Sequence, residues 1–281
     1  MTGHRFTPGL RLALCRGWAK GLVKALLGRA RGRFVQVSPP INGRHLLYCR
    51  ESRAFFRFVT RDYIDWRALR GVLVDEAYDI GSLTRGKELM SFYAALIASG
   101  KKPLIVDCGA NIGASAKYFS MVFPGASVVA VEPEQNNMAL ARINANATNV
   151  AFLQGAIASQ PARGRLLDPG LGNDAFRVAE DSSGSLSLFS IDSILDDPAY
   201  ANHVPFIVKM DVEGFEEEIF SKNTAWIRRI PLLIVELHDW MLPGRASSRN
   251  FLQCIAQENR DFILSGENVF SIANDLQARA G

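Results

Sequence analysis

Only four cysteines occur in 281 residues, Cys15, Cys49, Cys108 and Cys254, and no two form a CxxC pair. That excludes a disulfide framework and a thiolate zinc site, and it fits a reducing, cytoplasmic setting. Histidine is equally scarce, at four, with no HExxH or other ligand spacing, so the sequence predicts no metal site. No apolar run approaches the ~18 residues that would cross a bilayer. Acid is missing from residues 1–33, which carry eight Lys and Arg and leave the remainder of the +4 chain mildly negative. The body therefore offers no basic face for nucleic acid. In the extension, Leu10, Leu14, Trp18, Leu22 and Ala25 can share one helical stripe among basic residues. Three readings stay open: a helix on an anionic membrane surface, an Arg-rich targeting segment, or a helix packed on the body with a solvated face.

What is present is an alternation of buried strands and helices. Hydrophobic residues make up 48 % of the chain, ample for a parallel sheet. Residues 46–60 read as two strands about a polar turn, and Lys87 to Ser99 as a helix stopped by Gly100. Strands then follow at Leu104–Asp107, Ser127–Glu132, Val150–Leu153, Phe206–Asp211 and Pro231–Leu237, with helices between them. Residues 160–190 look irregular, rich in Gly, Ser and Asp, with short strand-like pieces. The last two runs, Phe262–Leu264 and Val269–Ile272, are joined so tightly through Gly266 that they must be antiparallel. Such a pattern predicts a doubly wound α/β domain over 101–281, a strand and helix region over 34–100 packing on it, and the extension 1–33.

Ligands of doubly wound sheets bind beyond the carboxyl ends of the strands, where the strand order reverses. The first strand of the domain ends Asp107-Cys-Gly109-Ala-Asn111-Ile-Gly113. The glycines permit a tight turn and close backbone approach, and Asn tolerates a left-handed conformation. An acid opening the turn disfavours a pyrophosphate and suits a cationic amino group. Glu132 closes the second strand nineteen residues beyond Gly113, where a carboxylate accepts ribose hydroxyls. An ammonium and a ribose without phosphate describe S-adenosyl-L-methionine.

Four segments now carry a family resemblance: Val106-Asp-Cys-Gly-Ala-Asn-Ile-Gly113, Val131-Glu-Pro133, Lys209-Met-Asp-Val-Glu-Gly-Phe-Glu216 and Ile234-Val-Glu-Leu-His238. Over roughly residues 100–272 the chain resembles the FkbM-type methyltransferases, a branch of the class I, Rossmann-like enzymes. The resemblance implies a seven-stranded, mostly parallel sheet with an antiparallel last strand, S-adenosyl-L-methionine as cofactor, and O-methylation of a sugar, glycan, glycolipid or secondary metabolite. It places Asp107, Gly109, Ala110, Asn111, Gly113, Glu132, Ala156 and Asp211 at the cofactor.

On the acceptor side, Asp211, Glu213 and His238 are the candidate catalytic residues, because a hydroxyl must lose its proton as it attacks the methyl group. Each has a plainer reading. The two acids could complement a helix N-terminus, and the histidine could be a bonded loop residue. Lys209 could pair with an acid. Two other classes compete: an NAD- or nucleotide-sugar-dependent oxidoreductase, which lacks here a GxGxxG turn and a Tyr–Lys pair, and a non-catalytic binding module.

Overall fold

The computed structural model describes residues 15, 16, 18, 19, 23, 32–39, 42–167, 177–241 and 243–280. The basic stripe of residues 1–33 lies almost wholly outside them. Among the described residues no helix is long and apolar enough to cross a membrane.

Fourteen strands are described: β1 (Phe34–Gln36), β2 (Arg44–Cys49), β3 (Ala54–Val59), β4 (Lys102–Cys108), β5 (Ser127–Glu132), β6 (Val150–Gln154), β7 (Ala156–Ile157), β8 (Ala162–Leu167), β9 (Arg177–Glu180), β10 (Leu186–Phe189), β11 (His203–Met210), β12 (Leu232–Glu236), β13 (Arg260–Ser265) and β14 (Asn268–Ala273). The large sheet runs β13-β14-β12-β11-β4-β5-β6. Its strands are parallel except β14, which lies antiparallel to both β12 and β13. The expected α/β fold, with its reversed last strand, is therefore the fold observed.

Continuous apolar strands such as PLIVDC, VVAVE and FIVKM are buried on both faces, as a sheet covered by helices requires. Alternate residues serve opposite cores. Ile105, Ile207 and Ile234 join Tyr118, Phe119 and Phe92 on one side. Val106, Val208 and Val235 join Ile219, Phe220, Trp226 and Phe251 on the other. Chain order runs outward from β4 through β5 to β6 on one side and from β11 to β12 on the other, so the sheet's reversal point falls between β4 and β11.

Two smaller sheets accompany the large one. The predicted hairpin of residues 46–60 is β2–β3, extended by β1. Residues 160–190, read from sequence as irregular with short strand-like pieces, contribute three strands to the sheet β7-β10-β8-β9. Their short apolar pieces carry too little pattern alone and are stabilised by pairing with one another. A Cβ on Gly184 would fall 2.0 Å from the Gly164 carbonyl oxygen, so glycine there lets the backbones close up.

Candidate active site

Strand β4 ends in three left-handed residues spaced two apart. Gly109 has φ 79°, Asn111 φ 47° and Gly113 φ 84°, so the chain turns sharply into the helix Ala114–Val122. The turn also brings β4 against β11: a Cβ on Gly109 would lie 1.8 Å from the Asp211 carbonyl oxygen, so only glycine fits.

Beyond it lies a cavity walled by Gly109, Asn111, Glu132, Ala156, Asp211 and Phe215, among others. Glu132 is 4 % exposed. Its carboxylate accepts the backbone N–H groups of Asn111 at 2.8 Å and Glu134 at 2.9 Å, and the amide of Asn137 at 3.5 Å. Burial nevertheless pushes its pKa up to about 7, against those bonds. The Asn111 side-chain oxygen is buried without a partner in this wall.

These residues fit an adenosyl ligand. Glu132 offers a carboxylate for paired hydroxyls, Asn111 an unused acceptor, and Ala156, Ile157, Val178 and Phe215 apolar walls for a flat base.

The two predicted acids part company. Glu132 lines the cavity; Asp107 does not. The Asp107 side chain is fully buried behind the turn, accepting the Ser115 hydroxyl at 2.6 Å and standing 3.3 Å from Lys209 Nζ. Lys209 lies beside it in the β4–β11 register, claims its charge, and donates to the Gly109 carbonyl at 2.8 Å. Asp107 thus belongs to a buried ion pair that sets the turn from behind. Ala110 and Gly113 likewise shape the turn without lining the cavity: Ala110 N–H is tied to the Val131 carbonyl, and Gly113 begins the helix.

Asp211, Glu213 and His238 do come together. Their ligand-capable atoms lie within 4.8 Å of one another, although nothing in their linear spacing signalled it. His238 is 1 % exposed. Its Nδ1 meets Glu216 Oε1 at 2.6 Å, while Nε2 faces Asp211, Glu213 and Glu236 at 3.5, 3.7 and 3.8 Å. Burial opposes a charge on this ring, but Asp211 and Glu216 hold its proton and raise its pKa to about 11. Asp211, desolvated yet beside Lys209 and His238, is held down near 2. Burial and the Asp211 charge push Glu236 up to about 7.

Glu236 and Glu216 are the residues that sequence reasoning passed over. Both sit in the quoted segments, and only the fold shows that they converge on His238.

Through Asn111, Asp211 and Glu213 the first cavity adjoins a second, wider cleft of about 940 Å³. Its walls come from residues 63–82, from Glu236 and from the β13–β14 turn. Trp66 and Tyr63 stack there at 5.5 Å, among Asp75, Glu76 and Asp79.

The sequence profile of the Methyltransferase FkbM domain matches residues 107–264, more than half of the chain. No curated protein sequence matches the chain. Among solved structures, similarity extends to a precorrin-6y C5,15-methyltransferase from Geobacter metallireducens GS-15 (14 % identity, 68 % of this chain and 88 % of that one, TM-score 0.35). It extends also to a methyltransferase from Geobacter sulfurreducens (15 %, 73 % and 87 %, TM-score 0.33). A cofactor-bound protein from MTB is similar at 15 % identity, over 76 % of this chain and 91 % of that one, with TM-score 0.38. With the domain profile spanning the glycine turn, Glu132 and the cluster around His238, the chain belongs to the FkbM methyltransferases and takes S-adenosyl-L-methionine as its methyl donor.

Proposed function

We propose that the protein is an O-methyltransferase acting on a hydroxyl of a sugar, glycan, glycolipid or secondary metabolite. The observation that carries this reading is the carboxylate cluster at the junction of the two cavities. Asp211 and Glu213 line both, and Glu236 lines the wide cleft. Acceptor-only groups in that position suit a substrate that brings O–H donors and must lose one proton.

S-adenosyl-L-methionine supplies an activated methyl group on sulfur, so the protein has two tasks: alignment and removal of the proton. Glu132 and Asn111 hold the donor's adenosyl part. Asp211 and Glu213 receive acceptor hydroxyls where the cavities meet, and Glu236, open to the cleft, takes the proton. His238 lines neither cavity, so it serves as a positioning residue that holds the carboxylates from behind.

The test incubates the full chain with S-adenosyl-L-methionine and a panel of glycosides, glycolipids and polyhydroxylated metabolites. The readouts are S-adenosylhomocysteine release and a methylated product. Glu236→Gln is expected to lower kcat by roughly 10²–10⁴ while donor affinity holds. Methylation at nitrogen or carbon alone, or an unchanged kcat in E236Q, would overturn the assignment.

A further inference from the structure

Asn137 is buried in the wall of the donor cavity, on the helix Gln135–Asn144. Its amide has an accepting end and a donating end, and the end that meets Glu132 decides whether that carboxylate is supported or repelled. The choice is made from outside the matched domain. Arg61 Nη2 donates to Asn137 Oδ1 at 2.6 Å, across 76 residues of sequence. An arginine only donates, so the atom it meets is the amide oxygen and the NH2 group points the other way. That group stands 3.5 Å from Glu132 Oε1. Arg61 is itself held in place. Its Nε and Nη2 grip the two oxygens of the buried Asp65 at 2.8 and 2.9 Å, and its backbone N–H donates to the same carboxylate at 2.7 Å.

We infer that Arg61 is a positioning residue for donor binding: by holding the Asn137 amide oxygen it turns the NH2 group of that amide toward Glu132. Asp65, which anchors Arg61, belongs to the helix Tyr63–Leu69, and Tyr63, Ile64 and Trp66 of that helix line the wide cleft. One short segment therefore walls the acceptor side and sets a side chain on the donor side. The inference concerns the donor alone and holds whichever atom of the acceptor is methylated. Its consequence falls on Glu132, whose pKa is raised by burial and lowered by the Asn137 amide. The other groups acting on Glu132 are the Lys209 charge and the backbone N–H groups of Asn111 and Glu134. The neighbouring Glu134 carboxylate is occupied by the Asn137 N–H at 2.7 Å and the Asn136 amide at 2.9 Å. Once Arg61 no longer claims the amide oxygen, nothing fixes which end faces Glu132, and the carboxyl holds its proton to higher pH. Ribose hydroxyls favour the anion, so affinity is lost on the acid side and recovered on the alkaline side.

The experiment measures binding of S-adenosylhomocysteine, which carries the same ribose, to the full chain by calorimetry between pH 5.5 and 8.5. Arg61→Met is expected to move the pH at which affinity levels off upward by roughly one unit, a loss of about tenfold at pH 6 that has mostly gone by pH 8.5. Arg61→Lys keeps a positive charge for Asp65 but not the planar fork that reaches both partners, so it is expected to shift the profile the same way. It carries the test should Arg61→Met fail to fold. Asn137→Leu is expected to give a like shift, and adding Arg61→Lys to it no further one, because both act through a single amide. Folded Arg61 variants with the wild-type profile, or with affinity lowered equally at every pH, would overturn the inference and leave Arg61 a structural tie. A shift in the double variant equal to the sum of the two single shifts would overturn it as well.

Discussion

Single residues divide by whether their partners are near in sequence. The position of Glu132 in the cavity wall was legible because it depends on a place at a strand end and a distance from a glycine turn. The ion pair of Asp107 was hidden for the opposite reason: its partner Lys209 lies about a hundred residues on and meets it only through strand register. Glu132 gives a prediction with a definite sign. Below about pH 7 the ligand-free carboxyl is protonated by its burial, whereas ribose hydroxyls favour the anion. Donor binding then expels a proton, so affinity rises with pH up to about 7 and is flat above it. Calorimetry in buffers of different ionisation heat checks this, and Glu132→Gln is expected to flatten the profile. The same variant is expected to weaken binding about tenfold, or ~1.4 kcal/mol. For Lys209→Met the expectation concerns stability. It leaves Asp107 buried without its counter-charge, at a cost of about 3–5 kcal/mol, read as a lower denaturant midpoint. A midpoint within error of wild type would show that the pair is dispensable.

At the scale of elements, the large sheet could be read almost strand for strand, because runs buried on both faces announce themselves without reference to neighbours. The sheet β7-β10-β8-β9 could not. Its strands are two to six residues long and gain their stability from pairing across gaps that local pattern does not record. The contact between β4 and β11 was half visible: the glycines suggested a close approach, but not to what. The structure answers that Gly109 abuts the Asp211 carbonyl. A methyl group there meets backbone at 1.8 Å and must also hold φ 79°, so Gly109→Ala has to push the ends of β4 and β11 apart. At roughly 1–3 kcal/mol for such strain and about 2–4 °C per kcal/mol for a chain of this size, the melting temperature is expected to fall by several degrees. Donor binding should fall with it, since both strand tips wall the cavity. A variant that melts normally yet loses the donor would place the effect in the cavity alone.

In the whole molecule, specificity and chemistry come from different parts of the chain. The donor cavity is built within the sheet domain, by segments whose residue types betray them. The wide cleft is assembled from residues 63–82 on one side and the β13–β14 turn on the other, parts that no motif connects. A pocket formed by pieces nearly two hundred residues apart leaves no spacing to read; what the sequence offered was only that the family resemblance, over roughly residues 100–272, does not reach residues 63–82. This separation makes the cleft open to a clean test. Trp66 is stacked on Tyr63, with the Arg70 guanidinium 5.6 Å from its ring centre. It lines the cleft and not the donor cavity. A contact between this ring and an acceptor in the cleft would persist through the reaction unchanged, the kind of binding that sets KM and leaves kcat alone. Trp66→Ala is accordingly expected to raise the acceptor KM about tenfold, near 1.4 kcal/mol, with donor affinity and kcat within twofold of wild type. If kcat fell instead and KM held, the ring would be acting on the transition state. The acceptor would then have to reach the carboxylates by another path.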